Sequence, residues 1–330
     1  MLATKLNSLD TRLRGYDDSN IRKVVLNTMS ISIEYQDSPL AVGTRKPRLS
    51  WEVPFEGRNK KQSAYQILVA TARELLDAGN ADVWDSGKVE STQSANVEYA
   101  GSELQSNTDY FCAVQVWDEA GAGSGFCLKS NFGTPFFDDA DWTADWIGMC
   151  AATEPEFDPY SIEQDDATSG GLRLAEDDFQ KMDSAFRDFK PETRSPQLRK
   201  DFELKGVVQR ARAFVCGLGL YELRLNGKKV GDDVLATPRT DFKKRVYYST
   251  YDITDQLTTG DNAVGIILGG GWYNAQKKHW HWQAPWYGSP RAIVQLEVEY
   301  ADGTSERVVS DNSWKGDWSV NRKVEVENYP

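Results

Sequence analysis

The sequence is poor in the residues that build metal centres and disulfide frameworks. It contains four cysteines and two histidines in 330 residues, and no two cysteines form a C-x-x-C pair. This sparse usage argues against a zinc site and favours free, buried thiols, although Cys112 and Cys127 fall where neighbouring strands would bring them close. The four cysteines are Cys112, Cys127, Cys150 and Cys216.

Long apolar runs and an excess of positive charge are also missing. No apolar run approaches the roughly 20 residues that a membrane-spanning helix requires. The net charge of −12 argues against nucleic acids and anionic membrane surfaces as partners. Residues 1–28 lack the apolar core of a signal peptide and show no strand or helix period, so we interpret them as a disordered leader. We expect a cytoplasmic location, with the periplasm or secretion as the alternative.

Residues 29–137 have the pattern of a β-sandwich. Apolar and polar residues alternate in "RLSWEV" (48–53), "AYQILVA" (64–70) and "YFCAVQVW" (110–117), and turn-forming residues separate these strands. One short stretch, "TARELLDAG" (71–79), is typical of a helix that spans a strand connection. The leucine, polar turn and tyrosine of "LQSNTDY" predict a tyrosine corner, so we expect a fibronectin type III-like or Ig-like sandwich.

A junction and an acidic insert follow at 138–196. The insert is polar and poor in β-branched residues, and its middle, 172–189, has the spacing of an amphipathic helix. Its carboxylates could be interpreted as catalytic, but runs of like charge are usually a solvated surface, which is the interpretation we favour.

Residues 197–330 predict a second, jelly-roll β-sandwich. Tyr221, Leu223 and Leu225 alternate into Asn226-Gly227, the dipeptide that best suits a type I′ hairpin turn. The apolar run 264–268 ends on three glycines, where the backbone must bend or approach another group closely. The fold class is therefore all-β, with two sandwiches in series and a polar acidic insert between them.

Several stretches resemble, in order, the amino-terminal part of bacterial α-L-rhamnosidases. They are "SPLAVGTRKPRLSWEV", "YFCAVQVWDEAGAGS", "DWTADWIG", "QLRKDFELKG" and the long run from "RARAFVCGLGLYELRLNGKKVGDD" to "GIILGGGWY". The resemblance implies a glycoside hydrolase whose inverting mechanism uses two carboxylates in a downstream (α/α)₆ barrel. No residue of this chain matches the family's catalytic acid or base, so none is assigned here. The implied partners are that barrel and a rhamnose-containing carbohydrate.

An aromatic loop is the leading candidate for a binding site. The stretch "GGGWYNAQKKHWHWQAPWYG" (269–288) holds four of the eleven tryptophans and both histidines. Its mixed spacing fits no single strand or helix face. Aromatic rings suit either an interface with another domain or local packing, which we favour, or stacking on a sugar. The candidate residues are Trp272, Tyr273, Trp280, His281, Trp282, Trp286 and Tyr287.

Metal sites have weaker signals. His279 and His281 would share one face of a strand, but no acidic or cysteine residue lies near them in sequence. Asp232, Asp233 and Asp241 could supply oxygen ligands to calcium, although turn and capping roles fit them better. We therefore expect no cofactor, with calcium as the alternative.

Together these observations predict the non-catalytic amino-terminal portion of an α-L-rhamnosidase, an enzyme that removes terminal α-L-rhamnose from glycosides or polysaccharides. The 330 residues alone are expected to be inactive. The alternative is a stand-alone rhamnose-binding module.

Overall fold

The chain is described by a computed structural model with two compact units, residues 1–141 and 142–330. The regular secondary structure described in both units is almost entirely antiparallel strand, which confirms the predicted all-β class. No helix in the described part is long and apolar enough to cross a membrane. The leader at 1–28 and the helix predicted within 172–189 lie outside the described residues. The structure describes residues 31–53, 60–77, 79–149, 195–242, 244–274 and 287–318.

The first unit contains two antiparallel sheets. One has the strand order β2-β1-β3-β7, and the other has β5-β4-β8-β9 with β6 also paired to β4. Alternate residues of the long central strands form the core, as the period of two predicts. The strands are β1 (Ile31–Ile33), β2 (Gln36–Asp37), β3 (Arg48–Trp51), β4 (Gln62–Ala70), β5 (Trp84–Asp85), β6 (Val89–Glu90), β7 (Val97–Glu98), β8 (Asp109–Asp118) and β9 (Leu128–Gly133).

A short helix, α1 (Arg73–Asp77), follows β4 and covers the outer face of the second sheet. Its Leu76 packs with Leu68, Ala70 and Ala113 in a small separate cluster. The helix predicted for this connection is therefore confirmed. It also explains why Ala113, on the outer face of β8, is fully buried.

The tyrosine corner of the first unit is present. The Tyr110 hydroxyl oxygen accepts a hydrogen bond of 2.8 Å from the backbone N–H of Gln105, and the Tyr110 ring stacks on Phe132 with centroids 5.4 Å apart. The tyrosine is buried with its hydroxyl satisfied, which fixes the turn before β8.

The second unit also has two antiparallel sheets. One has the order β10-β17-β12-β15, with β18 also on β17, and the other has β14-β13-β16-β11-β19. Inward-facing side chains from both sheets form one core. The strands are β10 (Ile147–Gly148), β11 (Pro196–Leu204), β12 (Val208–Leu218), β13 (Leu220–Leu225), β14 (Lys228–Lys229), β15 (Ser249–Asp252), β16 (Gly260–Gly269), β17 (Arg291–Tyr300), β18 (Ser305–Val309) and β19 (Lys315–Trp318).

The hairpin between β13 and β14 has the predicted turn. Asn226 and Gly227 have φ values of 50° and 80°, so both central residues are left-handed as a type I′ turn requires. The Asn226 amide donates to Gln256 O and Asn262 Oδ1 and accepts from the Ala263 N–H. These bonds tie the turn to the start of β16.

Residues that the sequence places in the junction contribute to the second sandwich. Strand β10 pairs with β17, and the buried Gln295 side chain accepts a hydrogen bond of 2.8 Å from the Thr143 N–H. Ser310 Oγ donates to Asp145 O. The stretch after residue 141 is therefore held to the second unit by a strand and by specific polar contacts, whereas most of the acidic insert lies outside the described residues.

The described cysteines are free thiols, as predicted, so Cys112 and Cys127 form no disulfide. Burial raises the pKa of the Cys112 and Cys216 thiols to about 12. The expectation that all the thiols are buried is wrong for Cys127, which is exposed, because it lies where the turn after β8 leads into β9. Cys150 lies outside the described residues.

An ion pair joins the two sheets of the second unit and should make its stability depend on pH. Lys200 Nζ on β11 lies 2.8 Å from Asp311 Oδ2 just after β18. This hydrogen bond, with a second from Ser313, lowers the pKa of Asp311 to about 2. A carboxyl group whose pKa is lowered on folding stabilises the fold above its unfolded pKa of about 4, and the contribution is lost as the pH falls through the folded value.

We therefore expect Asp311→Asn to lower the free energy of unfolding at pH 7, with the difference from wild type shrinking as the pH falls from about 4 to 2. Urea unfolding at each pH measures this difference. Asp232→Asn, at an exposed turn position, is the control and should change stability by less than about 0.5 kcal/mol. A loss of stability in Asp311→Asn that does not vary with pH would contradict the assignment.

Candidate functional site

Three of the seven predicted aromatic-loop residues lie in the described part of the chain. They are Trp272, Tyr273 and Tyr287, which lie near the two ends of the connection between β16 and β17. The other four, Trp280, His281, Trp282 and Trp286, lie outside the described residues, as does His279. Their assignment to a site stays a prediction.

An aromatic cluster joins two loops of the second unit. The rings of Tyr273 and Tyr287 stack with centroids 5.6 Å apart and planes 18° apart. Phe242, from the loop between β14 and β15, meets both with its edge, at 5.3 Å from Tyr273 and 5.1 Å from Tyr287. Each such ring pair contributes about 0.5–1.5 kcal/mol beyond the area that it buries. We call Phe242, Tyr273 and Tyr287 the aromatic cluster.

The backbone around the aromatic cluster is also closed by hydrogen bonds. The Tyr287 N–H donates to Tyr273 O at 3.0 Å, and the Asn274 N–H donates to Gly270 O at 2.9 Å. A Cβ atom at Gly270 would lie 3.0 Å from Asn274 O, and Gly271 has a φ of 50°. The glycines after β16 thus permit the bend and close approach that the sequence predicts. Tyr273 and Tyr287 hold the two ends of the aromatic loop together.

Trp272 has a different environment. Its side chain is 48% exposed, and the Arg239 guanidinium carbon lies 4.5 Å from the centroid of its ring. This geometry is a cation–π contact, which orients the indole while leaving much of it in solvent. An exposed, oriented indole beside an arginine can contact a protein or a sugar. It has no group that could transfer a proton near neutral pH.

The calcium candidates are not assembled as a ligand set. Asp233 Oδ2 accepts a hydrogen bond of 2.8 Å from the Tyr251 hydroxyl, and Asp241 forms an ion pair with Lys244. Within the described ranges, no group of three or more His, Cys, Asp or Glu side chains could hold a metal ion. The structure thus gives Asp233 and Asp241 roles in loop structure.

A chain of hydrogen bonds runs from the core of the second unit to Asp233. The Tyr221 and Tyr251 hydroxyl oxygens lie 2.9 Å apart, and Tyr251 in turn donates to Asp233. Tyr221 is on β13 and Tyr251 on β15, so the chain connects the two sheets. Burial raises the pKa of both phenols, so they remain neutral at physiological pH.

The carboxyl groups in the described part of the chain show no pKa shift of the kind that acid catalysis requires. A glycosidase general acid requires a raised pKa. Every described carboxyl group with a shifted pKa has it lowered instead. For example, the hydrogen bond from Arg48 lowers the pKa of Glu34, and that from the Ala122 N–H lowers the pKa of Asp118.

A shallow groove of about 630 Å³ opens on the second unit where β11 and β16 run side by side. Its lining residues are mostly polar and charged. Two of them are already paired, since the Asn226 amide donates a hydrogen bond to Asn262 Oδ1. The lining residues are Arg199, Asp201, Phe202, Glu203, Asn226, Asp261, Asn262 and Ala263.

Sequence reasoning missed Arg239 and Phe242. Both lie more than 30 residues from their aromatic partners, in a loop without strand or helix period. No local spacing could have placed them there. The weak signal is an arginine and a phenylalanine in "TPRTDFKK", a stretch that is otherwise typical of a solvated loop.

Two antiparallel sandwiches along one chain, the first with a tyrosine corner, define a protein of the all-β sandwich class, with an Ig-like first domain. Residues 28–138 match the family model for the Rha78A-like N-terminal immunoglobulin domain. Residues 206–327 match the model for the α-L-rhamnosidase N-terminal domain. The chain thus belongs to the α-L-rhamnosidase family, a family of glycoside hydrolases, through these two amino-terminal domains.

Individual proteins of this family are similar over most of the chain. An α-L-rhamnosidase of Formosa agariphila is 36% identical over 299 residues, which cover 89% of this chain and 29% of that protein. The structure of an α-L-rhamnosidase from Dictyoglumus thermophilum matches with a TM-score of 0.70 and 33% identity, over 87% of this chain and 29% of that one. The Streptomyces avermitilis α-L-rhamnosidase complexed with L-rhamnose matches with a TM-score of 0.70 and 27% identity, over 87% and 40%.

The chain spans between 27% and 41% of the length of the curated relatives that it matches. Because both matching family models describe amino-terminal domains, the chain corresponds to the amino-terminal portion of these proteins, as the sequence predicts.

The aromatic cluster gives a direct test of how the two loops are held. Phe242→Ala should destabilise the second unit by about 1–3 kcal/mol, because it removes two edge contacts from a half-buried site. Phe242→Leu keeps apolar volume without the ring and should fall between Phe242→Ala and wild type. Urea unfolding followed by tryptophan fluorescence measures the loss. Wild-type stability in Phe242→Ala would show that the cluster does not hold the loops.

Proposed function

We propose that the chain is the amino-terminal, non-catalytic portion of an enzyme that hydrolyses terminal α-L-rhamnose from glycosides or polysaccharides. In this proposal its two sandwiches position and dock an attached catalytic domain and do not themselves cleave the glycosidic bond. The observation that carries the proposal is the joint match of both units to amino-terminal domains of much longer α-L-rhamnosidases.

The lowered pKa values of the described carboxyl groups support the assignment of catalysis to another domain. Inverting hydrolysis requires one carboxylic acid to protonate the leaving oxygen and one carboxylate to activate water, held about 6.5–9.5 Å apart. The carboxyl groups with shifted pKa in the described ranges are held ionised, like Glu34 by Arg48. They suit structural ion pairs, and we assign the acid and base to a helical barrel domain.

The purified chain should not release 4-nitrophenol from 4-nitrophenyl α-L-rhamnoside above the rate of the buffer. The physical reason is that, in the described ranges, no carboxyl group with a raised pKa faces a second carboxylate across a concave site. Absorbance at alkaline pH measures release, and a full-length α-L-rhamnosidase serves as the positive control. Turnover at about 1 s⁻¹ or faster, an ordinary enzyme rate, would overturn the proposal.

A second function, binding of a rhamnose-containing carbohydrate, is favoured by the half-exposed Trp272 beside Arg239. An indole face suits the apolar C–H face and methyl group of rhamnose, and arginine can donate to sugar hydroxyls. Calcium would bind only if carboxylates such as Asp232 and Asp233 came together to coordinate it.

This second function predicts that L-rhamnose binds the purified chain with a Kd of about 1 mM or tighter, near −4 kcal/mol. Isothermal titration with and without calcium measures it. Trp272→Ala should abolish binding, whereas Trp146→Ala, which removes an indole that is 44% exposed elsewhere in the same unit, should not. Absence of binding by the wild-type chain would exclude this function and leave the first one standing.

A further inference from the structure

An edge loop protrudes from the second unit beside β13. The Val230 N–H donates to Leu223 O at 2.9 Å, and the Tyr221 N–H donates to Ala236 O at 2.8 Å. Residues 221 and 223 both form hydrogen bonds on the same edge of β13. Residues 231–235 therefore form a loop whose two ends are fixed to that strand. We call residues 231–235 the edge loop.

The edge loop is also fixed in its middle. Asp233 accepts from Tyr251 through its side chain and from Lys229 Nζ through its carbonyl oxygen. Gly231 has a φ of 70°, and a Cβ atom there would lie 2.5 Å from the Tyr251 ring. The loop therefore packs so tightly on Tyr251 that only glycine fits at its start.

Two aliphatic side chains occupy the tip of this fixed loop. Val234 is 86% exposed and Leu235 is 70% exposed. Exposed loop tips are usually polar, and burying a valine or leucine side chain is worth about 1.5–3 kcal/mol. A loop fixed at both ends and in its middle cannot fold these two side chains back into its own core. They are presented outward in a fixed orientation, at low entropic cost to a partner.

We propose that Val234 and Leu235 insert into an apolar depression on the catalytic domain to which this portion is attached. This rests on the proposed function, in which such a domain exists. Two side chains bury far less than the roughly 1,200 Å² of a stable complex between separate proteins. They suffice for a contact within one chain, where covalent attachment supplies an effective concentration of about 1 mM. The small patch thus favours an attached domain over a second copy, and the curated relatives carry more than half of their length beyond the matched portion.

The test titrates the purified chain with the separately produced catalytic portion of the Formosa agariphila relative, whose folding is verified by hydrolysis of 4-nitrophenyl α-L-rhamnoside. We expect the wild-type chain to bind with a Kd below about 1 mM and Val234→Ser/Leu235→Ser to bind about ten-fold more weakly. Val207→Ser is the matched control, because Val207 is 69% exposed in the same unit, and its affinity should stay within about two-fold of wild type. Urea unfolding should give equal stability for all three proteins.

The outcomes separate the inference from the function on which it rests. Equal binding by wild type and Val234→Ser/Leu235→Ser would overturn the role of the edge loop and leave the docking function intact. No binding by the wild-type chain would overturn both. Dimerisation of the wild-type chain in sedimentation, lost in the double serine variant, would assign the loop to a second copy and overturn the proposal.

Discussion

The hydrogen bonds from Tyr221 through Tyr251 to Asp233 are the constraint on which the exposed loops of the second unit depend. They start in the core on one sheet, cross to the other and end in the edge loop. Because burial raises the pKa of both phenols, both hydroxyls keep their protons at physiological pH and can continue to donate. The core thereby determines where residues 231–235 lie.

Features encoded by neighbouring residues could be predicted from the sequence. The period of two located the buried faces of β4 and β8, because a strand turns successive side chains to opposite faces. Asn226-Gly227 specified its turn because both residues tolerate positive φ. The tyrosine corner was also predictable, since Tyr110 bonds to a backbone group only five residues away.

Contacts between distant loops could not be predicted in this way. Phe242 meets Tyr273 and Tyr287 only because the fold brings two long connections to the same place, and neither loop has a period that a pattern could detect. The role of Asp233 was hidden for the same reason, since its partner Tyr251 is on another strand. The acidic residues of "GDD" suggest a cation, but one of them, Asp233, accepts a hydrogen bond from the Tyr251 hydroxyl. The candidate aromatic loop remains a prediction for Trp280, His281, Trp282 and Trp286.

The strand lengths of the first unit affect how it behaves when crowded. In the described part, three of the four edges of its two sheets are formed by strands of two residues, namely β2, β7 and the pair β5 and β6. An edge strand of two residues offers too few consecutive N–H and C=O groups for a neighbouring molecule to add a hydrogen-bonded strand. The short strands thus protect the first unit, at three of its four sheet edges, against the addition of a strand from a neighbouring molecule.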